Sequence, residues 1–310
     1  MRLTHLLAAA GLTGVAALAP AAPALATFPG HSGRLVFGVP SDHGVQLHTV
    51  RPNGQDLRQV TSVEGDAIQP DWSPDGRTIV FELDTEDGAN VAFVPADGGP
   101  IRVLPGPAGT FEGQPSYMPD GGHLLFTQFN GEEEATWIMG LDGSDRHRIT
   151  AGPGDATDPN AAPDGRAFSY VGVHDHNWEV EQAVITSTLD GAHQLQLTPF
   201  DAEVAIKHDW APDGSRIVFT DNADFVHQGQ SANVGTIRPD GTGTRYLTHY
   251  TGGEVNGFVG GYFPSGRRIV FRHEDHGMYA LRTMRTDGTH VRTVLPLSPL
   301  RPRYIDWGSR

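Results

Sequence analysis

Histidines that could bind a ligand are concentrated in three short polar segments of the chain. The first segment contains His174 and His176, spaced as i and i+2. Residues with this spacing point to the same side of an extended chain, so both imidazoles could bind one metal ion. Across the three segments, the candidate ligand-binding residues are His174, His176, Trp178, His227, His273 and His276. The sequence thus predicts a ligand-binding surface, with His174, His176 and His227 as possible metal ligands.

The chemistry of such a site is limited by the composition. The chain contains 15 His and no Cys, which excludes disulfides, Cys-ligated zinc and a cysteine nucleophile. Imidazole and carboxylate ligands without thiolate suit a divalent metal such as Ca, Mn or Zn. The alternative interpretation is a set of solvated polar loops in an acidic, His-rich chain. Trp178 could stack on a sugar or a partner side chain, or pack against its own loop.

Two turn motifs recur along the chain and indicate its architecture. Pro-Asp-Gly occurs at 74–76, 119–121, 163–165 and 212–214, with Pro-Ser-Gly at 264–266. Asn-Gly or Asp-Gly occurs at 53–54, 97–98, 142–143, 190–191, 240–241 and 287–288. Both motifs are typical of tight turns between strands. Each repeat of 44 to 52 residues is therefore expected to form four short strands, as in a blade of a β-propeller.

Counting these repeats predicts an all-β, six-bladed propeller with four antiparallel strands per blade. The first repeat begins with Arg34–Phe37, which corresponds to the second strand of the other repeats. Residues 302–308 provide the missing first strand, and Trp307 takes the position that Trp72 and Trp210 occupy in their repeats. We therefore expect the C-terminal strand to close the ring by joining blade one, which leaves no unpaired sheet edge.

This architecture predicts where the chemistry lies. The connections that lack the recurrent turns share one face, and they are longest between Tyr170 and Asp190 and between Phe219 and Asp240. Variable loops on a rigid scaffold usually carry binding sites. Acidic residues precede the first strand of several blades, where the channel through the ring should open, and Lys207 and His208 lie nearby. The predicted channel-mouth residues are Glu64, Glu112, Glu203, Lys207, His208 and Glu254.

The repeat units at 71–81 and 209–219, which read DWSPDGRTIVF and DWAPDGSRIVF, resemble the repeats of TolB-type β-propellers. Such repeats occur in Tol–Pal envelope proteins, in propellers of prolyl-oligopeptidase-type peptidases and in some metal-dependent polysaccharide lyases. TolB proteins resemble a propeller joined to an N-terminal α/β domain, for which residues 27–32 are too few. Because no Gly-x-Ser-x-Gly motif is present, the resemblance implies a stand-alone propeller rather than a peptidase.

The N-terminal residues predict export. After Arg2, the stretch Leu6–Leu18 has no charge, and Ala24-Leu25-Ala26 forms a small-x-small cleavage site. The apolar stretch is shorter than the roughly 20 residues of a membrane span. We therefore expect a signal peptide at 1–26, a short lead at 27–32, a single propeller domain at 33–310, and a secreted or extracytoplasmic protein.

The sequence favours a binding module over an enzyme. The net charge of −15, from 22 Lys plus Arg and 37 Asp plus Glu, disfavours a nucleic-acid partner. The expected ligand is a protein, a peptide or a saccharide, bound by the variable loop face and the channel mouth. The alternative is a metal-assisted carbohydrate-active enzyme, a polysaccharide lyase or hydrolase, in which a histidine of the loop cluster or Lys207 acts as base.

Overall fold

The chain folds into six four-stranded antiparallel sheets and one short 3-10 segment, as described by a computed structural model for residues 32–150, 154–176, 179–221 and 229–309. In chain order, the strands of the first three blades are β1 (Ser32–Ser41), β2 (Gly44–Val50), β3 (Arg58–Gln59), β4 (Asp66–Trp72), β5 (Thr78–Thr85), β6 (Gly88–Pro95), β7 (Arg102–Leu104), β8 (Phe111–Tyr117), β9 (His123–Phe129), β10 (Glu134–Gly140) and β11 (His147–Arg148). The remaining elements are β12 (Asp155–Ala161), β13 (Ala167–His176), β14 (Glu179–Thr188), β15 (Gln194–Gln196), η1 (Phe200–Ala202), β16 (Asp209–Trp210), β17 (Ile217–Asp221), β18 (Asn233–Ile237), β19 (Arg245–Tyr246), β20 (Val255–Tyr262), β21 (Arg268–Asp275), β22 (Met278–Arg285), β23 (Arg292–Ser298) and β24 (Arg303–Ser309). Among the residues that the structure describes, no helix is long and apolar enough to cross a membrane.

The sheets are the six blades of a β-propeller. Blade 1 consists of β24, β1, β2 and β3 in spatial order, and the other blades are β4–β7, β8–β11, β12–β15, β16–β19 and β20–β23. The first strand of each sheet contacts the first strand of the neighbouring sheets, so these strands surround the central axis. The predicted all-β fold, with six blades of four antiparallel strands, is confirmed.

The ring is closed by the last strand of the chain. β24 pairs with β1 in antiparallel register, with Leu35 opposite Trp307 and Val36 opposite Asp306. Trp307 is buried in a cluster with residues of blades 1 and 6, and its ring centroid lies 3.4 Å from that of Phe263. The predicted closure of blade one by the C-terminal strand is therefore confirmed.

The recurrent turns adopt the backbone that their residue types favour. In the first motif, the glycine N–H donates to the carbonyl three residues earlier, as in Gly76 to Ser73 at 2.8 Å. The five glycines of this motif have φ between 65° and 68°, the left-handed region that glycine enters without steric cost. Asp75 Oδ1 accepts the Arg77 N–H at 3.1 Å, which fixes the corner. These turns set the register of the first two strands in blades 2 to 6.

A threonine after the fourth strand joins the strands within several blades. The Thr61 hydroxyl accepts the backbone N–H of Leu47 at 2.8 Å, and Thr198 accepts that of Val184 at 2.9 Å. Thr150 and Thr248 make the equivalent bonds at 3.1 and 2.9 Å. Since these bonds satisfy buried N–H groups of the third strand, they explain why threonine recurs at this position.

The inner strands are bulged. In blades 1 to 4, the pairing register shifts within the inner strand, and one residue at each shift has positive φ. These residues are Gln69, Gln114, Asp158 and Tyr304, with φ from 48° to 51°. A bulge redirects the side chains around it, and here it occurs where the strands line the axis.

Aspartates of the inner strands connect neighbouring blades. Asp71 of blade 2 accepts the backbone N–H of Tyr117 in blade 3 at 2.7 Å, and Asp306 of blade 1 accepts that of Trp72 in blade 2 at 3.1 Å. Asp209 makes the equivalent bond to Tyr262 at 2.6 Å. The aspartate that precedes the aromatic residue is therefore an inter-blade contact.

Candidate functional site

The variable connections of the propeller lie on one face, which we call the loop face. Because the strands are antiparallel, this face carries the connections between the second and third strands and those leading to the next blade. His174 lies there at the end of β13, and its ring stacks on Phe200 of η1 with 3.7 Å between centroids. The backbone of His176 pairs with Glu179 in the neighbouring strand. Trp178 and His227 lie outside the described residues.

The two histidines of blade 6 occupy different environments. His273 is buried, and its Nδ1 lies 3.1 Å from the Tyr250 hydroxyl. Burial lowers the pKa of His273, and the charge of Arg282 lowers it further. His276 is exposed in the following turn, where its Nδ1 lies 2.6 Å from Asp275 Oδ1, and this hydrogen bond raises its pKa. Of this pair, only His276 is accessible to a ligand.

The predicted metal site depends on residues of which only some are described. In the parts of the chain that the structure covers, no group of three or more His, Asp or Glu is arranged to hold a metal ion. The combination of His174, His176 and His227 includes one residue outside these parts. A metal at these three histidines therefore stays a prediction.

Two of the predicted channel-mouth carboxylates are on the outer surface of the loop face. Glu64 is exposed, and its Oε1 lies 3.1 Å from His43 Nδ1. Glu254 is exposed as well, and its backbone carbonyl accepts the N–H of His276 at 3.0 Å. Both carboxylates are available to a ligand that covers the loop face.

Two other predicted carboxylates are directed into the protein. Glu112 is completely buried, and its Oε1 accepts a hydrogen bond from Arg146 Nη1 at 2.7 Å. Burial raises the pKa of Glu112, whereas the Arg146 charge opposes the shift. Glu203 is buried after η1 at a φ of 45°. Neither carboxylate is accessible to a ligand at the channel mouth.

Lys207, the one lysine of the sequence, lines the channel. The described residues that line this part of the channel are Gln69, Asp71, Gln114, Pro115, Ser116, Asp158, Pro159, Asn160 and Lys207. The space between them, about 10 Å³, accommodates no more than about one water molecule. A ligand larger than a water molecule therefore does not fit between these residues.

Aspartates from four blades interact electrostatically with the Lys207 amine. They are Asp306, Asp158, Asp71 and Asp209. Burial lowers the pKa of Lys207, but these four carboxylates outweigh it, so the pKa is raised. Burial and then the charge of Asp306 raise the pKa of Asp71 well above its usual range. The floor of the mouth is therefore a partly buried cluster in which one amine interacts with four aspartates.

His208 belongs to a buried polar chain next to this cluster. Its Nδ1 lies 3.2 Å from Asp158 Oδ2, and its Nε2 lies 2.7 Å from Ser169 Oγ. The Trp210 indole N–H donates to Ser169 Oγ at 2.8 Å. An Asp–His–Ser series can activate a serine nucleophile, but Ser169 and His208 are completely inaccessible. This chain joins blades 4 and 5 and cannot contact a substrate.

Sequence reasoning missed a cavity at the mouth, between blades 5, 6 and 1. Its volume is about 310 Å³, and its described lining consists of Ala205, Ile206, Lys207, Phe258, Val259, Arg272, Arg301, Arg303, Tyr304 and Ile305. The Arg272 guanidinium lies 4.1 Å from the Phe258 ring centroid, and that of Arg301 lies 5.4 Å from Tyr279. The signal in the sequence was Arg301-Pro302-Arg303, directly before the closing strand.

Around the channel, the side formed by blades 2 to 4 is acidic instead. Glu82 Oε2 accepts the Gln114 backbone N–H at 3.0 Å. Burial raises the pKa of Glu82 to about 7, and the charges of Asp84, Glu134 and Asp158 add to the shift, whereas the hydrogen bond opposes it. Glu82 and its acidic neighbours thus lie in blades 2 to 4, and the three arginines of the mouth cavity lie in blades 6 and 1.

Similarity to known proteins was found in sequence and in structure. No protein-family model matches the chain. A 32-residue segment is 56% identical to the Tol-Pal system protein TolB of Nitratidesulfovibrio vulgaris, and it covers 10% of this chain and 7% of that protein. TolB from Acinetobacter baumannii superposes with a TM-score of 0.73 over 90% of this chain and 67% of that structure, at 20% identity. The chain has the fold of a TolB propeller.

A second structure supports the same assignment. The putative TolB from Agrobacterium tumefaciens matches this TolB-like propeller with a TM-score of 0.66 and 19% identity, over 84% of this chain and 88% of that one. At these identities the similarity establishes the fold. The sequence-based resemblance to TolB-type propellers is confirmed.

Proposed function

We propose that this TolB-like propeller is an exported module that binds a protein or peptide through its loop face, with the channel mouth as the central site. The observation that carries the proposal is the mouth cavity between blades 5, 6 and 1. Its volume of about 310 Å³ is at the lower end of the range for ligand pockets. Lys207 lines both this cavity and the small space between blades 2 to 4, so the charge cluster adjoins the volume available to a ligand.

The chemistry around the mouth also favours binding. The Asp158–His208–Ser169 chain is buried away from any ligand, and His273 is enclosed by its blade. The accessible groups are instead guanidinium groups, aliphatic side chains and exposed loop residues such as Glu64, Glu254 and His276. These groups provide hydrogen bonds, charge complementarity and apolar contact area for a partner. The similarity to TolB structures supports the same role.

We predict that the purified protein selects short peptides from a random library and that filling the mouth cavity prevents their binding. Ala205 lines the cavity, so Ala205→Trp should weaken binding of the selected peptides at least about tenfold, because the indole occupies the ligand volume. Fluorescence anisotropy measures the Kd.

The matched control is Ala192→Trp, at an exposed turn position of blade 4 on the opposite face. This variant should bind the selected peptides with unchanged Kd. If no peptide is selected, or if both tryptophan variants bind equally well, the proposal is wrong.

We propose export because residues 1–26 have the features of a signal peptide: a basic start, an uncharged centre and the sequence Ala24-Leu25-Ala26 at the end. When these residues are fused to alkaline phosphatase, which is active only after export, we expect phosphatase activity in intact bacteria. Deletion of Leu6–Leu18 should abolish it, because the apolar segment is the recognised part. Equal activity of the two fusions would contradict export by this segment.

A further inference from the structure

The mouth cavity concentrates positive charge in a strongly acidic protein. The chain has 22 Lys plus Arg against 37 Asp plus Glu, yet three arginines line this one cavity. Arg272 comes from β21 of blade 6, whereas Arg301 and Arg303 come from the segment that enters the closing strand of blade 1. Lys207 lies deeper, among the aspartates of the channel.

These arginines are incompletely neutralised by the protein. Within the described part of the chain, Arg301 and Arg303 form no ion pair, whereas Arg272 forms one with Glu274, with Nη2 and Oε2 3.7 Å apart. Arg272 is only 9% exposed, and its Nε has no hydrogen-bond partner among the described residues. Burial lowers the pKa of Arg272 to about 10; the charge of Glu274 opposes this shift, whereas the nearby charges of Arg301 and Arg303 add to it. An anion in the cavity would relieve this repulsion.

A second arginine-rich cavity on the opposite face provides a comparison. It has a volume of about 780 Å³ and contains Arg34, Arg51 and Arg58. All three surround Asp56, with nitrogen–oxygen distances of 2.8, 3.3 and 2.6 Å. In that cavity one carboxylate pairs with all three arginines, whereas the described lining of the mouth cavity contains no carboxylate and Glu274 pairs with Arg272 alone.

The remaining walls of the mouth cavity indicate what adjoins the anionic group. They are formed by Ala205, Ile206, Phe258, Val259 and Ile305, which offer aliphatic and aromatic carbon. Among the described lining side chains, Tyr304 is the one neutral group with a hydroxyl or amide. A sugar acid requires partners for several hydroxyl groups. The walls therefore fit an apolar side chain better than a saccharide.

We propose that the mouth cavity binds a carboxylate that is adjacent to an apolar side chain, as at the C-terminal end of a peptide. The inference rests on the proposed peptide-binding function and adds the chemical class of the group that is recognised. A guanidinium group binds a carboxylate through paired, charge-assisted hydrogen bonds. The Arg272 guanidinium is held in place by its contact with Phe258 and by the bond from Nη1 to the Pro302 carbonyl at 3.2 Å, so it is preorganised for such a ligand.

The experiment uses a library of seven-residue peptides that are immobilised through their N-termini and end in a free carboxylate, beside the same library with amidated ends. Binding of the full-length mature protein is measured on both, followed by Kd values for the best free-acid peptides. The test variant is Arg301→Gln/Arg303→Gln. The control is Arg267→Gln/Arg285→Gln, which removes two charges from exposed positions on the opposite side of blade 6.

We expect binders that end in an apolar residue and lose at least about tenfold in affinity when amidated, because one charge-assisted contact is removed. The Arg301→Gln/Arg303→Gln variant should show a similar loss, and the control should bind within about twofold of the unmodified protein. Unchanged melting temperatures show that both variants are folded.

The alternative results separate the two proposals. Equal binding of acid and amide peptides overturns the carboxylate inference but leaves peptide binding in place. No binding to either library contradicts both. Oligogalacturonate is added as a third probe. If it binds while the peptides do not, and if its binding depends on Arg301 and Arg303 in the same way, the ligand is a saccharide and the peptide proposal is wrong.

Discussion

Replacing Trp307 with alanine is expected to lower the free energy of unfolding by about 3–5 kcal/mol, the usual cost of removing a large buried aromatic side chain. Trp307 is 4% exposed and packs between blade 1 and blade 6, against Leu35 and Phe263. Because this side chain holds β24 in the ring, its loss should also release the pairing of β24 with β1. Urea denaturation measures the first effect, and amide hydrogen exchange of both strands measures the second.

Trp210 provides the matched comparison, since it has the same exposure and the equivalent position in blade 5. Trp210→Ala should lower the free energy of unfolding by a similar amount, but the faster amide hydrogen exchange that it causes should be confined to blades 4 and 5. A loss below about 1 kcal/mol for Trp307→Ala, as expected for an exposed position, would contradict the role of this residue in ring closure.

The second large effect concerns pH. Glu82 has a pKa of about 7 in the folded protein and an ordinary value of 4.5. Between these values, the unfolded carboxyl has lost its proton while the folded one retains it, so unfolding releases a proton and rising pH favours unfolding. The stability contribution of Glu82 is complete below pH 4.5 and should decline by about 2–4 kcal/mol as the pH rises through 7.

Glu82→Gln should remove this decline, because glutamine retains an oxygen that can accept the Gln114 N–H but does not ionise. The variant should therefore be more stable than the unmodified protein above pH 7. Urea denaturation at several pH values between 4.5 and 8 measures the difference. Glu86→Gln, at an exposed turn of the same blade, is the control and should show the same decline of stability with pH as the unmodified protein. Parallel curves for the unmodified protein and Glu82→Gln would refute the prediction.

The fold was predictable because it is determined by local signals that repeat. The buried aromatics such as Phe81 and Phe126 follow the glycine of the Pro-Asp-Gly turn by five residues, and these turns, the Asp-Gly turns and the aromatics each have the same structural role in several blades. Ring closure followed from the missing first strand of the first repeat and from the position of Trp307, which matches that of Trp72. Such local rules define blades and their number.

The candidate site was less predictable because side-chain direction near the axis does not follow simple alternation. The bulges at Gln69, Gln114, Asp158 and Tyr304 rotate the inner strands, so strand periodicity does not distinguish channel side chains from core side chains there. Glu112 accordingly lies inside blade 3 although its position suggested the mouth. The arginine cavity joins residues of blades 5, 6 and 1, a proximity that exists only after the ring is closed.

The pairing of β24 with β1 has a consequence for biosynthesis. During translation, the first blade lacks its inner strand until residues 303–309 have left the ribosome, which at common elongation rates is on the order of tens of seconds after β1 is made. Throughout that interval the edge of β1 is unpaired, and the ring cannot close. In this state the β1 edge is open to mispairing with other nascent chains, so blade 1 and the ring can be completed only after the last residues of the chain have been made.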